Sequence, residues 1–446
     1  MSIYKECDIR GIYNNNLDEK TAYLIGRAAG SELSGKSLVL GSDIRESTPE
    51  LKKNLIKGLL ESGADIVDLG TVPTPLMYFG KKFLKTDGGI MITASHNPPE
   101  YNGFKIILRD MPVTPEDIKN LEKRIINNNF TDGKGSIKTY SIEQDYIDFV
   151  LPRIIPEKKL NVVIDACNGS MSYIAPKLFR LAGHNVSELF CSYDGKFPNR
   201  NPNPAVYSNL KKIQEAVIKE QADIGVAFDG DGDRVVFIDN KGNYCESERS
   251  FVLFINEYLS GEKGSVVYDG KSSSVVKDSI EKTGSTAIME RSGHAFIKRT
   301  FIENNSVLAG EISGHFFFRE LGFDDGLYAA LKMAQILSRG TETLAEKISR
   351  IQKTVITPDL RIPMNDENIR RLIDSLGKLE KEYKIIRLDG IRVEFPGGWV
   401  LVRKSVTEPV VTVRLEAGSK EEALKISSMV FESSYPEIHN TVIKSI

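Results

Sequence analysis

"SLVLGSDIREST", residues 37–48, runs from a buried-type strand to an aspartate and then to the small polar residues that open a helix. The same order returns in "NVVIDACNGS" (residues 161–170) and in "SVVYDGKSSS" (residues 265–274). Continuous β-branched runs that do not alternate describe strands covered on both faces, and the amphipathic stretches after them are the helices that do the covering. Recurrence at a domain-sized interval therefore predicts three similar α/β domains in series.

Punctuation sets the boundaries. Prolines in "VLPRIIPEKK" (residues 150–159) favour an extended crossing into the second strand set. "DNKGNYCESERS" (residues 239–250) reads as a hairpin turn and a polar entry to the helix "FVLFINEYL", and "TPDLRIPMNDENIRR" (residues 357–371) marks the last junction. Beyond it we expect a helix over residues 367–383, strands in "GIRVEF", "GWVLVRKS" and "PVVTVRLEA", and a closing helix "KEEALKISSMVFESS". That order is a helix packed on an antiparallel sheet, an α+β domain. The expected division is 1–145, 146–246, 247–357 and 358–446.

Bulk composition narrows the function classes. The 446 residues are 41% hydrophobic and 27% charged, as in ordinary globular proteins, with a net charge of -2. Nothing there suggests nucleic acid or an anionic membrane as the main partner, although a local cluster of Arg and Lys can still hold a small anion. Four scattered cysteines show no metal-ligand spacing, which fits a reduced compartment. The charged start and the lack of any apolar run of about 20 residues lead us to expect a cytoplasmic protein.

The strongest local signal is "VAFDGDGDRVVFID" (residues 226–239). After an apolar strand, Asp229, Asp231 and Asp233 alternate with glycine and are followed by Arg234. Residues without side chains let such a loop fold tightly and bring three anions to one point, which is costly unless a cation sits there. Oxygen-only ligands favour Mg²⁺, Ca²⁺ or Mn²⁺ over softer metals. An EF-hand would need Gly and Glu where Arg234 and Asn240 stand, so that motif is excluded. The remaining alternative is a solvated acidic turn.

"ITASHNPPEYNGFKI" (residues 92–106) leaves three readings open. Ser95 lacks the G-x-S-x-G elbow of a hydrolase nucleophile. If the chain is extended, adjacent side chains point to opposite sides, which turns His96 away from Ser95. Asn97-Pro98-Pro99 and Asn102-Gly103 are turn formers, so a plain turn is the second reading. The third is a serine that carries a phosphoryl group toward the metal loop.

Two further stretches offer binding groups. In "AGEISGHFFF" (residues 309–318), Glu311, Ser313 and His315 alternate, and an extended chain would align them as a row of polyol readers. "SGHAFIKR" (residues 292–299) adds His294 in a second Gly-His context. "GGWVLVRKSVTEPV" (residues 397–410) sets Arg403 beside Ser405 and Thr407 at the end of a strand, which is either a phosphate clamp or ordinary exposed strand chemistry.

Together and in this order, the TASHNP, DGDGDR, GE-x-SGH and R-x-S-x-T-E-P loops resemble the α-D-phosphohexomutase superfamily across essentially the whole chain. Within it, "SHNPPEYNGFK", "GEISGHFFFRELGFDDGLYAAL" and "DGIRVEFPGGWVLVR" are most similar to the bispecific phosphomannomutase/phosphoglucomutase group. The resemblance implies three related α/β domains plus a C-terminal α+β domain around a central cleft. It implies phosphoserine at Ser95, with Asp229, Asp231 and Asp233 binding Mg²⁺ beside it. Arg10, His96, Lys105, Arg234, Lys271 and His294 would line the reacting centre, with Lys105 and His96 as proton carriers. Glu311, Ser313 and His315 would meet the sugar, and Arg403, Ser405 and Thr407 the distal phosphate. The expected reaction interconverts hexose 6-phosphate and hexose 1-phosphate, with glucose or mannose 1,6-bisphosphate as intermediate and activator. The alternatives are a phosphoglucosamine mutase or a sugar phosphatase using the same site. The expected state is a monomer or weak homodimer, with no nucleic-acid or membrane partner.

Overall fold

The structure, a computed structural model, describes residues 2–405 and 409–446. Its first three sheets repeat one plan. In each, a first strand (Ser37–Ser42, Asn161–Asp165, Ser265–Asp269) lies centrally. A second (Asp65–Thr71, Asn185–Leu189, Thr286–Glu290) pairs parallel on one side of it. A third (Gly88–Ile92, Ile224–Phe228, Leu308–Gly310) pairs parallel on the other. A fourth (Tyr101–Ile107, Val235–Asp239, Phe316–Phe318) then returns antiparallel beside the third.

The three aspartates that follow or end the first strands confirm the repeat at atomic scale. Asp43, Asp165 and Asp269 each accept a hydrogen bond from the backbone N–H two residues on, those of Arg45 (3.0 Å), Cys167 (2.8 Å) and Lys271 (2.9 Å). Each carboxylate thereby caps the same tight exit from its strand. The recurring aspartate of the sequence is a structural device first.

This plan matters because the connection between third and fourth strands falls at equivalent ends of the three sheets. It carries Ser95 in the first unit, Asp229 to Asp233 in the second, and Glu311 with Ser313 in the third. One apolar core runs through all three units and includes Phe79, Ile164, Phe237, Phe254, Phe316 and Tyr328. Burying each such side chain contributes about 1.5–3 kcal/mol, so units that share a core hold their loops in fixed relation. The helix Gly326–Ser338 is buried along nearly its whole surface, as its apolar composition requires. None of the described helices is long and apolar enough to cross a membrane.

The C-terminal sheet is antiparallel throughout and has its own core of Ile369, Val393, Val402, Val413, Phe431 and others. Its helix Asp366–Gly377 ends earlier than the periodicity suggests, and a short 3₁₀ turn, Lys378–Lys381, completes the segment. The expected closing helix is likewise split into Lys420–Ser427 and a wide turn, and a further helix, Pro436–Ser445, follows. Polar contacts join this domain to the third. Buried Glu416 accepts from Trp399 Nε1, from Ser273 Oγ and from the Ser274 N–H (2.8 Å), while Arg414 donates to Lys271 O at 2.8 Å.

Candidate active site

Ser95 follows the fully buried strand Gly88–Ile92 and adopts φ +50°, the left-handed region, which costs a non-glycine residue free energy and persists only where surrounding contacts impose it. Arg45 imposes it. This residue is 1% exposed, and its guanidinium donates to four carbonyls of the loop: Ser95 O (2.9 Å), Asn97 O (2.7 Å), Pro98 O (2.6 Å) and Tyr101 O (3.0 Å). Asp43 balances its charge at 3.1 Å, and the Phe197 ring of the second unit lies 5.0 Å from it. Arg45→Met is expected to lower unfolding free energy by about 3–5 kcal/mol, because Asp43 is left buried and four carbonyls lose their donor. Urea denaturation reads this directly; a loss under ~1 kcal/mol would remove the clamp from the account.

Two expectations for this stretch are corrected. The left-handed turn at Ser95 breaks the extended alternation, so His96 does not point away: its Nδ1 lies 3.4 Å from Ser95 Oγ. Asn102-Gly103 is not a turn but part of the strand Tyr101–Ile107. A Cβ on Gly103 would fall 2.2 Å from Ile9 O, and Asn102 Nδ2 donates to Ser47 Oγ at 2.8 Å. Close strand pairing, rather than chain reversal, requires that glycine.

The aspartate loop closes against Ser95. All three carboxylates are fully buried, with ligand atoms within 4.8 Å of one another. Ser95 Oγ donates to Asp229 Oδ2 at 2.7 Å. Gly232 takes φ +79°, and a Cβ on Gly230 would sit 2.6 Å from Ser95 O. One glycine thus serves the turn and the other the contact between domains. Thr74 Oγ1 donates to Asp231 Oδ2 at 2.6 Å, and Lys105 Nζ bridges Asp231 (2.7 Å) and Asp233. Behind the loop, Arg200 pairs with Asp165 at 2.7 Å and donates to Phe228 O at 2.6 Å.

Charge in this pocket is balanced unevenly. Burial, and then Asp231 and Asp233, push the Asp229 carboxyl well above its ordinary range. Burial opposes charge on Lys105, but Asp231 and Asp233 outweigh it and hold the ammonium charged. Arg234 and His315 add positive charge 3.9 Å from Asp229 and 3.3 Å from Asp233, yet Asp231 Oδ1 is buried without a hydrogen-bond partner among the described residues. A hard divalent cation fits this donor set.

The third unit meets the same point. His315 Nε2 lies 3.3 Å from Asp233 Oδ1, and its Nδ1 lies 2.8 Å from Glu311 Oε2. Burial works against its charge, but the two carboxylates hold its pKa up at about 10. Ser313 Oγ donates to Glu311 Oε2 at 2.8 Å. The expected extended row is absent: residues after Leu308–Gly310 form a turn, with Gly314 at φ +92°, and Glu311, Ser313 and His315 cluster by folding back. His294 stacks on His315 at 5.6 Å, and burial takes its pKa down to about 4. Arg234 Nε lies 3.9 Å from Asp229 Oδ2, and Arg10 donates to Asn97 Oδ1 at 2.5 Å.

Lys271, expected at the reacting centre, and the residues expected at the distal phosphate stand apart from this network. Lys271 Nζ is 2.7 Å from Asp359 Oδ2 of the C-terminal domain. Arg403, on the strand Gly398–Lys404, has its Nε 3.1 Å from Asp389 Oδ1. Ser405 donates its N–H to Val410 O at 3.0 Å, and Thr407 lies outside the described residues. Arg45, Thr74 and Arg200 are site-building residues that the motif reading passes over.

Comparison with known proteins gives a consistent result. Profiles of phosphoglucomutase/phosphomannomutase alpha/beta/alpha domains I, II and III match residues 1–132, 144–242 and 246–354, and that of the C-terminal domain matches residues 358–433. The phosphomannomutase/phosphoglucomutase of Pseudomonas aeruginosa is 38% identical over 436 residues, covering 96% of this chain and 94% of that one. The phosphoglucomutase of Neisseria gonorrhoeae is 37% identical over 438 residues, covering 96% and 95%. A crystal structure of a phosphoglucomutase/phosphomannomutase family protein from Burkholderia thailandensis superposes with a TM-score of 0.89 at 36% identity, over 96% of this chain and 95% of that one.

Proposed function

The chain belongs to the phosphoglucomutase/phosphomannomutase family, and on that premise we propose that Ser95 carries the phosphoryl group that it moves between O1 and O6 of a hexose. The enzyme is an isomerase that interconverts hexose phosphates. The observation that carries the mechanism is the strained Ser95, whose Oγ sits 2.7 Å from Asp229 within a fully buried carboxylate triad. A phosphoserine needs cationic surroundings, and a carboxylate triad needs a cation; each explains the other.

Transfer of a phosphoryl group needs in-line placement and neutralisation of charge rather than covalent work by the protein. Asp229, Asp231 and Asp233 would hold Mg²⁺, which when bound supplies Lewis-acid neutralisation of the phosphoryl oxygens. Lys105 and Arg234 add fixed positive charge at the same place. In the first transfer, a sugar oxygen bonds to phosphorus as the bond to Ser95 Oγ breaks, giving a hexose 1,6-bisphosphate. Of the two expected proton carriers, Lys105 stays charged, and His96, which burial keeps neutral, takes the proton from the sugar hydroxyl and returns it to Ser95 Oγ as the serine leaves. The bisphosphate then returns its other phosphate to Ser95, and added glucose or mannose 1,6-bisphosphate acts as activator by phosphorylating it. Glu311, Ser313 and His315 face the sugar hydroxyls, and Arg403, Ser405 and Thr407 hold the phosphate that does not react. Arg10, His294 and Lys271 complete the walls. The reading fits a cytoplasmic monomer or weak homodimer.

If Glu311 and Ser313 grip O3 and O4, the configuration at C2 matters little. Glucose and mannose 1-phosphates should then turn over with kcat/KM values within a few tens-fold of each other. The test is steady-state kinetics on glucose, mannose and glucosamine 1-phosphates with a catalytic amount of bisphosphate. A ratio above roughly a thousandfold between glucose and mannose, ~4 kcal/mol, would overturn the bispecific assignment.

A further inference from the structure

Between the helix Thr74–Leu84 of the first unit and His294–Glu303 of the third lies a cavity of about 460 Å³, within the range that holds small organic ligands. It reaches Lys105 and His294, but neither Ser95, the aspartate loop, Glu311, Ser313 nor Arg403 lines it. Apart from Lys105 and His294, its lining has no part in the mutase reaction described above.

Lys298, from the second turn of the helix His294–Glu303, lines this cavity while only 9% exposed. Its ammonium lies 3.6 Å from the Tyr78 ring centroid, and Asp324 Oδ1 is 4.0 Å away. Among the described residues Lys298 makes no hydrogen bond, although an ammonium carries three donors and is costly to bury without acceptors. Burial accordingly takes its pKa down to about 8 in spite of Asp324. Asp324 lies beyond hydrogen-bond reach, and an anion in the cavity would supply the acceptors that Lys298 lacks.

The charge around the cavity favours an anion as their source. Lys81, Lys82, Lys85, Lys105 and Lys298 line it against one carboxylate, Asp110, which Lys81 pairs at 3.0 Å. Lys82 donates to Leu321 O at 2.9 Å, a neutral partner that leaves its charge uncompensated. Lys105 is balanced by Asp231 and Asp233, whereas Lys298 has only Asp324 at 4.0 Å. Tyr78, Val113 and Phe323 supply apolar wall, so the lining suits a charged head on an apolar body.

We propose that this cavity is a second ligand site, which takes a small phosphate ester with an apolar body, its phosphate against Lys298 and the rim lysines and its body against Tyr78, Val113 and Phe323. Lysines act as point charges toward phosphate, so no planar fork is needed. The site shares no phosphate-binding group with the Arg403 clamp, and its failure leaves the mutase reading intact.

Phenyl phosphate is a suitable probe, titrated calorimetrically into the full chain with and without saturating glucose 1-phosphate and glucose 6-phosphate at equilibrium. Its Kd should be the same within about threefold in the two cases, and Lys298→Met should weaken it about tenfold or more. The exposed double variant Lys82→Gln/Lys85→Gln keeps the buried site whole and should weaken binding about threefold or more. Inorganic phosphate and benzyl alcohol, each carrying half of the probe's chemistry, should each bind about tenfold less tightly than the ester. The proposal is overturned if the sugar phosphates displace the probe, if both variants bind it as the unaltered chain does, or if no binding is seen at millimolar probe.

Discussion

Ser95→Ala is expected to reduce mutase turnover by roughly a thousandfold or more, the scale at which removing a group that forms the covalent intermediate is felt. No other hydroxyl is placed to replace it: Thr93 Oγ1 accepts a hydrogen bond from the Ser95 N–H at 2.9 Å and faces the loop backbone. His96, with Nδ1 3.4 Å away, is the nearest other nucleophile, and labelling that persists in the variant would point to it. The fold should persist, because Arg45 holds the loop through carbonyls that alanine retains. The lost bond to Asp229 costs at most about 1–3 kcal/mol, and the same change relieves some crowding beside the triad. The variant should also accept no label from glucose 1,6-bisphosphate carrying radioactive phosphate, whereas the unaltered chain should take up one phosphate per molecule. Full turnover in the variant, or labelling that persists, would assign the carrier role to another residue. A variant that fails to fold shows itself by a lost thermal transition, which separates that outcome from a chemical one.

How far the sequence leads to this site depends on the distance over which each feature acts. The recurring aspartate is legible because Asp43, Asp165 and Asp269 act within two residues of themselves. The carboxylate–glycine alternation is legible for the same reason: Gly230 and Gly232 solve problems local to their loop, even though one of them faces Ser95 O. Arg45 is not legible, since nothing around it in the chain says that its guanidinium holds carbonyls about fifty residues away. Thr74, an ordinary first-turn helix residue, meets Asp231 only because two domains pack together. The orientation of His96 is lost because no residue near Ser95 announces a left-handed serine; the neighbours of the loop impose it. The same holds for Glu311, Ser313 and His315, whose alternation suggests a strand while Gly314 folds them into a turn. Long-range imposition of backbone strain is therefore what motif reading misses, and it coincides with the site.

Asp231→Asn tests the other half of the arrangement, and activity should fall far more than stability. Asp231 Oδ2 accepts from Thr74 Oγ1 and from Lys105, while Oδ1 has no hydrogen-bond partner among the described residues. An asparagine can keep its oxygen toward Thr74 and Lys105 and place its NH₂ where Oδ1 was, so the loop geometry survives. What changes is one negative charge. Burial and then the neighbouring carboxylates push Asp229 well above its ordinary range, whereas for Asp231 burial and Asp233 are outweighed by Lys105 and Thr74, which hold its carboxyl below the ordinary range. The fold therefore favours the charge on Asp231, and in chelator the variant should melt a few degrees below the unaltered chain at about pH 7. Mg²⁺ should raise the melting temperature of the unaltered chain by mass action and leave that of the variant nearly unmoved. Turnover in saturating Mg²⁺ should fall about a thousandfold, the scale of a lost charge-stabilising group at a phosphoryl-transfer centre. A variant that keeps activity within about tenfold would mean that Lys105 and Arg234 neutralise the transferring phosphate by themselves. A variant that does not fold in chelator would mean that the carboxylate is needed for the fold. A large loss of turnover beside a small loss of stability has one physical cause: Lys105 and Thr74 satisfy Asp231 well enough for the fold, while the chemistry needs its charge for a cation at that point.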